Sequence, residues 1–297
     1  MRQNTPMKLR IVFAVVALAG VVAGCSVDPI GVAERERDKS YATVVSLSPS
    51  TTEYLVTVGG STYLGGRTAS CDRPEAILAA PVVMTNTEID AERIKEIEPD
   101  LIVYDKSLFG PDAVAKIDSL GVETLVYDAN DADTYADYGY RLGAKLSIES
   151  YVSRHVDDVY RELAIANANE TANPRVTVLI GNPSDGEYLV MGLEGIHAFI
   201  ISSCGGKPVG ADGRLFQTAK IESLIDWNPQ VIYSDANAQA IYADPRLQQV
   251  DAVKNQRVYD FDSKTLVRVG GYLNAMIKQF AQDLNKMPIN PRTGSAK

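Results

Sequence analysis

Fourteen residues of this chain occur twice. Glu92 to Asp105 reads ERIKEIEPDLIVYD, and Glu222 to Asp235 reads ESLIDWNPQVIYSD. The two align without a gap: Glu92 with Glu222, Pro99 with Pro229, Ile102 with Ile232, Asp105 with Asp235. Leu101 and Val231 are both aliphatic, and Glu96 and Asp226 are both acidic. Each copy encodes the same local structure. Asp90 is placed to cap a helix, and Glu92 falls in its first turn, where the helix dipole favours an acid. Ala91, Ile94 and Ile97 share one face. Pro99 stops the helix, because the residue before a proline avoids the helical region. LIVY then reads as a buried strand. In the second copy Thr218 or Ala219 opens the helix, Ile221, Leu224 and Ile225 form its apolar face, Pro229 ends it, and VIY is the strand. A repeated unit of helix, proline stop and strand implies two similar α/β halves in tandem.

The repeat extends backwards. Val58-Gly59-Gly60 resembles Cys204-Gly205-Gly206, each after an apolar helix and before a short strand. The first half therefore carries an insertion, which falls within RTASCDRPEAILAAPVVMTNTE (67–88). Loops of this length are often functional. TVVSLS (43–48) opens the first half as a strand, Ser50 or Thr51 caps the helix after it, and RVTVLIG (175–181) opens the second half. Between the halves, 133–146 reads as one helix and Ser147 as the cap of a second, from Ile148 to about Ala168. Val152, His155, Val156, Val159, Tyr160 and Leu163 give that second helix an apolar face. At 1.5 Å per residue it spans roughly 30 Å, enough to bridge two lobes. Residues 271–286 form a closing helix. The expected fold is α/β: two Rossmann-like lobes joined by one long backbone helix, with a ligand cleft between them.

The first 24 residues stand apart from this fold. MRQNTPMKLR carries Arg2, Lys8 and Arg10 and no acid, and IVFAVVALAGVVA follows. This is the pattern of a secretory signal, with an apolar run shorter than the roughly 20 residues of a membrane span. It ends in Val-Ala-Gly-Cys, which resembles a bacterial lipobox with Cys25 as the lipidated residue and new N-terminus. Residues 26–40 are polar and read as a tether. The expected organisation is a leader (1–24), a lipidated tether (25–42), a first lobe (43–132), linking helices (133–172), a second lobe (173–268), a closing helix (269–288) and a tail (289–297).

Losing the leader removes three bases and leaves 38 acids against 26 bases, a net charge of about −12. Nucleic acid and anionic membrane surfaces are poor partners for such a chain, so attachment falls to the lipid. Cys71 and Cys204 lie in different halves; a bridge would clamp the halves together, and two free buried thiols are the plainer reading. His155 and His197 both fall in helices far apart, which does not supply a bare-metal site. No phosphate-loop, dinucleotide or nucleophile-elbow motif is present in the sequence. An enzyme working in the cleft and a sensing or adhesion lipoprotein are the competing readings.

The order of parts resembles one family. Lipobox, tether, VVSLSPSTTE, GG, DRP, EPDLIVYD, a long helix, CGG and NPQVIYSD follow one another as in the single-helix-hinge class of solute-binding proteins for ABC importers, whose members carry cobalamin, ferric siderophores or haem; the resemblance covers roughly 43–287. SLSPSTTE and the DRP spacing look most like the cobalamin-binding members. The resemblance implies a monomeric carrier with no catalysis and no cofactor of its own, which hands a metal chelate, foremost a corrinoid, to an ABC permease and its ATPase. It implies that Glu92 and Glu222 dock onto the permease. It implies a ligand site drawn from Ser50, Ser70, Cys71, Asn86 and Thr87 in the first lobe and Leu193, Glu194, Phe216, Asp262 and Lys264 in the second. Phe216 keeps one aromatic place of the corrin binders, and Asn86 stands where a second is expected. The small lobe motion of that family is also expected, since one stiff helix resists large bends.

Overall fold

The first lobe is built on a six-stranded sheet in the order β4-β3-β2-β1-β5-β6. Its strands are β1 (Val44–Ser46), β2 (Leu64–Thr68), β3 (Val82–Thr85), β4 (Glu88–Ile89), β5 (Leu101–Asp105) and β6 (Thr124–Tyr127). All pairings are parallel except the short edge strand β4 on β3. Three helices serve this sheet: α1 (Pro49–Thr57), α2 (Ala91–Ile97) and α3 (Pro111–Asp118). Two more, α4 (Ala132–Leu146) and α5 (Glu149–Asn167), lead to the second lobe. The structure is a computed structural model that describes residues 41–86, 88–169, 171–181, 187–235 and 238–287, all within one compact unit. Cys25, the leader, nearly all of the tether, Thr87 and the tail 289–297 lie outside the described residues.

The second sheet contains β7 (Arg175–Ile180), β8 (Glu187–Val190), β9 (Lys207–Pro208), β10 (Gln217–Lys220), β11 (Val231–Ser234) and β12 (Val258–Asp260). Its path is β10-β8-β7-β11-β12, with β9 also on β7. Here β8 and β10 run antiparallel, so this lobe is a more mixed variant of the first. Its helices are α6 (Ile196–Ser203), α7 (Ile221–Trp227), α8 (Ala238–Ala243), α9 (Asp251–Lys254) and α10 (Ser263–Arg268), and α11 (Leu273–Asn285) closes the chain's fold.

The repeat holds down to backbone torsions. Asp90 caps α2 by accepting from the Arg93 amide at 2.9 Å. Glu98 and Asn228, each just before the matched proline, end α2 and α7 in the left-handed conformation at φ 51° and 43°. Gly59 and Gly205 take φ 79° and 78° at the next pair of matched positions. Three cap assignments change. Ser48, rather than Ser50 or Thr51, caps α1, because Pro49 suits the first helical position, where its missing N–H costs nothing. Ser147 ends α4 at φ 56° instead of starting α5. Residues 217–220 are strand β10, which runs straight into α7 with no side-chain cap.

Side chains alternate across each sheet, so one face of both lobes drains into a shared core. Val44, Leu101, Val103 and Leu125 of the first lobe join Val176, Val178, Val231 and Tyr233 of the second. The bridge is made of Tyr135 and Leu142 on α4, Val152, Val156 and Val159 on α5, and Phe280 on α11. The opposite faces carry separate cores, one around Val45, Ile102 and Tyr104 and one around Ile232 and Val258. His155 lies in the shared core with its Nε2 2.7 Å from the Tyr135 hydroxyl, whereas Tyr160 turns outward and donates to Asp133 at 2.6 Å. A spine of 19 residues in α5, packed on α4 and α11, leaves the lobes little freedom to part at the back.

Candidate functional site

In an open α/β sheet the ligand crevice forms beyond the C-terminal ends of the strands, where the connections turn to opposite sides. In the first lobe that point lies between β1 and β5. The loops after these strands are locked together by hydroxyls. Ser48 Oγ accepts from the Asp105 amide at 3.1 Å, and Ser50 Oγ donates to Asp105 Oδ2 at 2.8 Å. The Ser107 hydroxyl and amide both donate to Asp105 Oδ1, at 2.6 and 2.9 Å. Behind them Thr51 and Thr52 bond to Ser46 at 2.8 Å each, so the SLSPSTT motif is a buried hydroxyl network. Burial raises the Asp105 pKa above the usual carboxylate range, with the bonds from Ser107 and Ser50 opposing.

A cavity of about 590 Å³ opens over this point. Leu47, Met84, Leu108 and Phe109 supply apolar wall, and Ser50, Ser70, Asn86 and Asp105 supply polar groups. Of the described residues, the second lobe contributes only Val267 and Arg268. A smaller cavity of about 100 Å³ shares Asp105, Ser107, Val267 and Arg268 with it and reaches Asp128 on one side and His197, Arg214 and Phe216 on the other. The His197 and Phe216 rings meet edge to face at 4.9 Å. His197 Nε2 donates to the Leu266 carbonyl at 2.6 Å, and burial lowers its pKa to about 4.

Ion pairs clasp the lobes across the cleft. Glu53 on α1, with 2% side-chain exposure, accepts from Arg73 at 2.6 Å and from Arg268 of α10 at 3.0 Å. Arg268 also reaches Asp72 at 3.0 Å and the Ser70 carbonyl at 3.0 Å. Arg73 bonds Asp262 at 2.7 Å, and Lys264 bonds Asp72 at 2.5 Å. Arg214 pairs with Asp128, which Lys106 also contacts at 3.1 Å. Burial alone raises these carboxyls, but the cations more than offset it: Asp72 and Asp128 fall below the usual range. In Asp262, burial is overcome first by the bonds from Thr265 and then by Arg73, and its pKa falls to about 2. Beside the clasp the backbone closes tightly. Gly270 packs its Cα on Ser50 and Glu53, and the Tyr127 and Tyr135 hydroxyls donate to the Val269 and Gly270 carbonyls at 2.7 and 2.8 Å.

The residues expected at the site separate into groups. Ser50, Ser70 and Asn86 line the larger cavity, and Phe216 lines the smaller. Asn86 sits at φ 52°, a conformation asparagine adopts more readily than other side-chain-bearing residues. Cys71 lies behind the wall, bonded to the Thr52 and Thr68 hydroxyls at 3.0 and 3.3 Å. Cys71 and Cys204 are both buried free thiols. Leu193 and Glu194 are exposed just before Gly195 and line neither cavity. Asp262 and Lys264 also line neither; their charges go to the clasp. Glu92 and Glu222 are exposed in the first turns of α2 and α7, and neither forms a salt bridge or side-chain hydrogen bond among the described residues. Sequence reasoning missed Asp105, Met84, Phe109 and Arg268. The signal for Asp105 was on hand: it closes a strand at a matched position of the repeat. Among the described residues, no three His, Cys, Asp or Glu side chains gather as a metal-ligand set, and no helix is long and apolar enough to cross a membrane.

Strand ends flooring a cavity, with a second lobe latched over it, define a two-lobed ligand-binding protein. Residues 44–265 match the family described as periplasmic binding protein, and the chain belongs to that family. Its members are binding proteins rather than enzymes, and membership puts the working position of the chain outside the cytoplasm. Among curated relatives, it is 29% identical over 193 residues to a vitamin B12-binding protein of Salmonella choleraesuis, covering 64% of this chain and 70% of that one. It is 21% identical over 252 residues to the uncharacterized ABC transporter substrate-binding lipoprotein YvrC of Bacillus subtilis, covering 81% and 79%. Among solved structures, the vitamin B12-binding protein BtuF of Vibrio cholerae superposes with a TM-score of 0.72 at 21% identity, covering 82% of this chain and 96% of that one. The haem-binding protein BhuT, in complex with two haems, superposes with a TM-score of 0.70 at 19% identity, covering 83% and 98%. The expected two-lobed α/β fold with one bridging spine is thus the fold of the family.

Proposed function

We propose that the protein is the solute-binding component of an ABC importer and that it captures a metal chelate, foremost a corrinoid, in the cleft between its lobes. The observation that carries this reading is the cavity of about 590 Å³ at the switch point of the first lobe, walled by Leu47, Met84 and Phe109 and edged by Ser50, Asn86 and Asp105. Its mix of apolar wall and polar rim suits a macrocycle with amide side chains, and its size falls in the range of ligand sites. The vitamin B12-binding relatives support the corrinoid within the class. Ferric-siderophore or haem capture by the same importer class is the second reading, and the haem-binding structural neighbours favour it. The organisation that goes with this reading is a first lobe 43–132, linking helices 133–172, a second lobe 173–268 and a closing helix 269–288, on a tether 25–42 anchored through lipid at Cys25.

Delivery rests on Glu92 and Glu222. Glu92 stands exposed in the first turn of α2, which packs on β2 and β3, and Glu222 in the first turn of α7, which packs on β10. Two exposed carboxylates at matched positions, neither in a salt bridge among the described residues, are open to cationic side chains of a permease, and such charge matching sets orientation and on-rate. The lipid at Cys25 keeps the carrier near its permease and raises the effective concentration. The test is calorimetric titration of the purified chain with cyanocobalamin, alongside uptake by cells carrying Glu92→Ala and Glu222→Ala together. One-to-one binding with uptake abolished and affinity unchanged supports the reading. Uptake that survives the double substitution removes the docking assignment, and a chain that binds neither cyanocobalamin nor any siderophore or haem removes the chelate.

A further inference from the structure

The charge of the cavity wall names the class of chelate more narrowly. Among the described residues, two basic side chains line the paired cavities, Arg268 and Arg214. Both are already neutralised. Arg268 holds Glu53 and Asp72 at 3.0 Å each, and Arg214 holds Asp128. The carboxylates are not all matched in return. Asp105 at the back of the cavity takes its hydrogen bonds from Ser50 and Ser107, which bring no charge. Asp112 at the mouth is exposed and forms no salt bridge or side-chain hydrogen bond among the described residues.

The two helix N-termini at the cavity, which could attract an anion, each offer one backbone donor fewer because a proline opens the helix. Pro49 removes one N–H from the start of α1, and Ser48 satisfies the Thr51 amide. In α3, Pro111 removes another N–H, and Asp112 already places a carboxylate in the first turn. Among the described residues that line the cavities, a polyanionic ligand would meet Asp105 and Asp112, neither paired with a basic side chain, and no arginine free of a carboxylate.

We propose that the cleft selects a neutral or cationic chelate that presents hydrogen-bond donors, that Asp105 is the acceptor reading those donors, and that polyanionic chelates are excluded. The inference rests on the chelate-carrier reading above and narrows it. An amide-fringed macrocycle or a cationic hydroxamate complex fits. A complex that displays free carboxylates or a triply charged catecholate core does not.

The experiment measures dissociation constants of the purified full chain, at one ionic strength, for four probes. These are cyanocobalamin (neutral), ferrioxamine B (cationic), haemin (two carboxylates) and ferric enterobactin (trianionic). It then repeats them with Asp105→Asn, which keeps the shape and an acceptor oxygen, and with Asp112→Asn, an exposed site where folding is not at stake. The expected result is that a neutral or cationic probe binds at least tenfold more tightly than either anionic one, with the ratio narrowed severalfold in both variants. An anionic probe that binds as tightly as the others overturns the inference and leaves the chelate-carrier reading standing. A ratio unmoved by both substitutions removes Asp105 as the reader. If none of the four probes binds, the chelate reading itself falls, and the inference with it.

Discussion

Replacing Arg268 with Met tests whether the clasp holds the lobes together. The substitution keeps most of the side-chain volume and removes the charge. Arg268 is 14% exposed and shares the carboxylate of Glu53, itself 2% exposed, with Arg73. Stripping every partner from a buried charge costs about 3–5 kcal/mol. Arg73 remains at 2.6 Å, so the Glu53 charge is left half-compensated and the expected loss is about 2–3 kcal/mol. The lost contact to the exposed Asp72 adds less than about 1 kcal/mol. For a domain of this size each kcal/mol lowers the melting temperature by roughly 2–4 °C, so a fall of about 5–10 °C is expected. The assay is urea denaturation at neutral pH followed by circular dichroism, run as a double-mutant cycle with Glu53→Gln. Because neutralising Glu53 removes the stranded charge, the double variant should be more stable than the two separate losses predict by at least about 1 kcal/mol. A single substitution within about 0.5 kcal/mol of the parent, or strict additivity in the cycle, refutes the clasp as a stabilising element.

Gly270→Ala would drive its new methyl into the Ser50 carbonyl and to 3.0 Å from Glu53 Cβ, so it should cost about 1–3 kcal/mol and weaken ligand capture; Gly110→Ala, with open space around it but at the N-cap of α3, should cost no more than about 1 kcal/mol in the same thermal melts. His197 has a folded pKa of about 4 against about 6.5 unfolded, so the unfolded chain gains its proton first; stability should fall by about 3 kcal/mol between pH 6.5 and 4, and His197→Gln should flatten that limb of a pH–stability curve. Below pH 4 the clasp carboxylates take over, because Asp72, Asp128 and Asp262 are all depressed in the fold and their contribution is lost as pH falls through their folded values. Glu98→Gly should raise stability by up to about 1 kcal/mol, since φ 51° at the end of α2 strains a side-chain-bearing residue and suits glycine; a lower midpoint in urea would count against that reading.

Short-range chemistry made much of this fold legible in the sequence. The repeat of helix, proline stop and strand needs only periodicity and the steric rule before proline, whereas that rule does not specify the left-handed conformation that Glu98 and Asn228 share. The long α5 is visible as a stripe of Val152, Val156 and Val159. The insertion at 67–88 stands out as an extra stretch in one copy, and Ser70, Asn86 and Met84 from it do line the cavity. Helix caps were less legible, because Ser48, Ser50 and Thr51 offer the same hydroxyl within four positions and only the proline at 49 decides among them.

What the sequence by itself determined is the tandem of α/β halves, the bridging helix and a cleft between them, since each rests on contacts within one element or between adjacent ones. Tertiary structure alone decided the use of each charge. Asp262 and Lys264 are loop charges like any others in the sequence; only the approach of the second lobe gives them to Arg73 and Asp72 and takes them out of the cavity wall. Cys71 reads in the sequence both as a buried free thiol and as a pocket residue, and only the fold, which encloses it at 1% exposure, decides for the first. Arg268 becomes the lid of the cavity because it folds onto Glu53, which lies 215 positions away in the chain. Electrostatic partners at such separations are set by the docking of whole lobes, and no local pattern of residues encodes that docking.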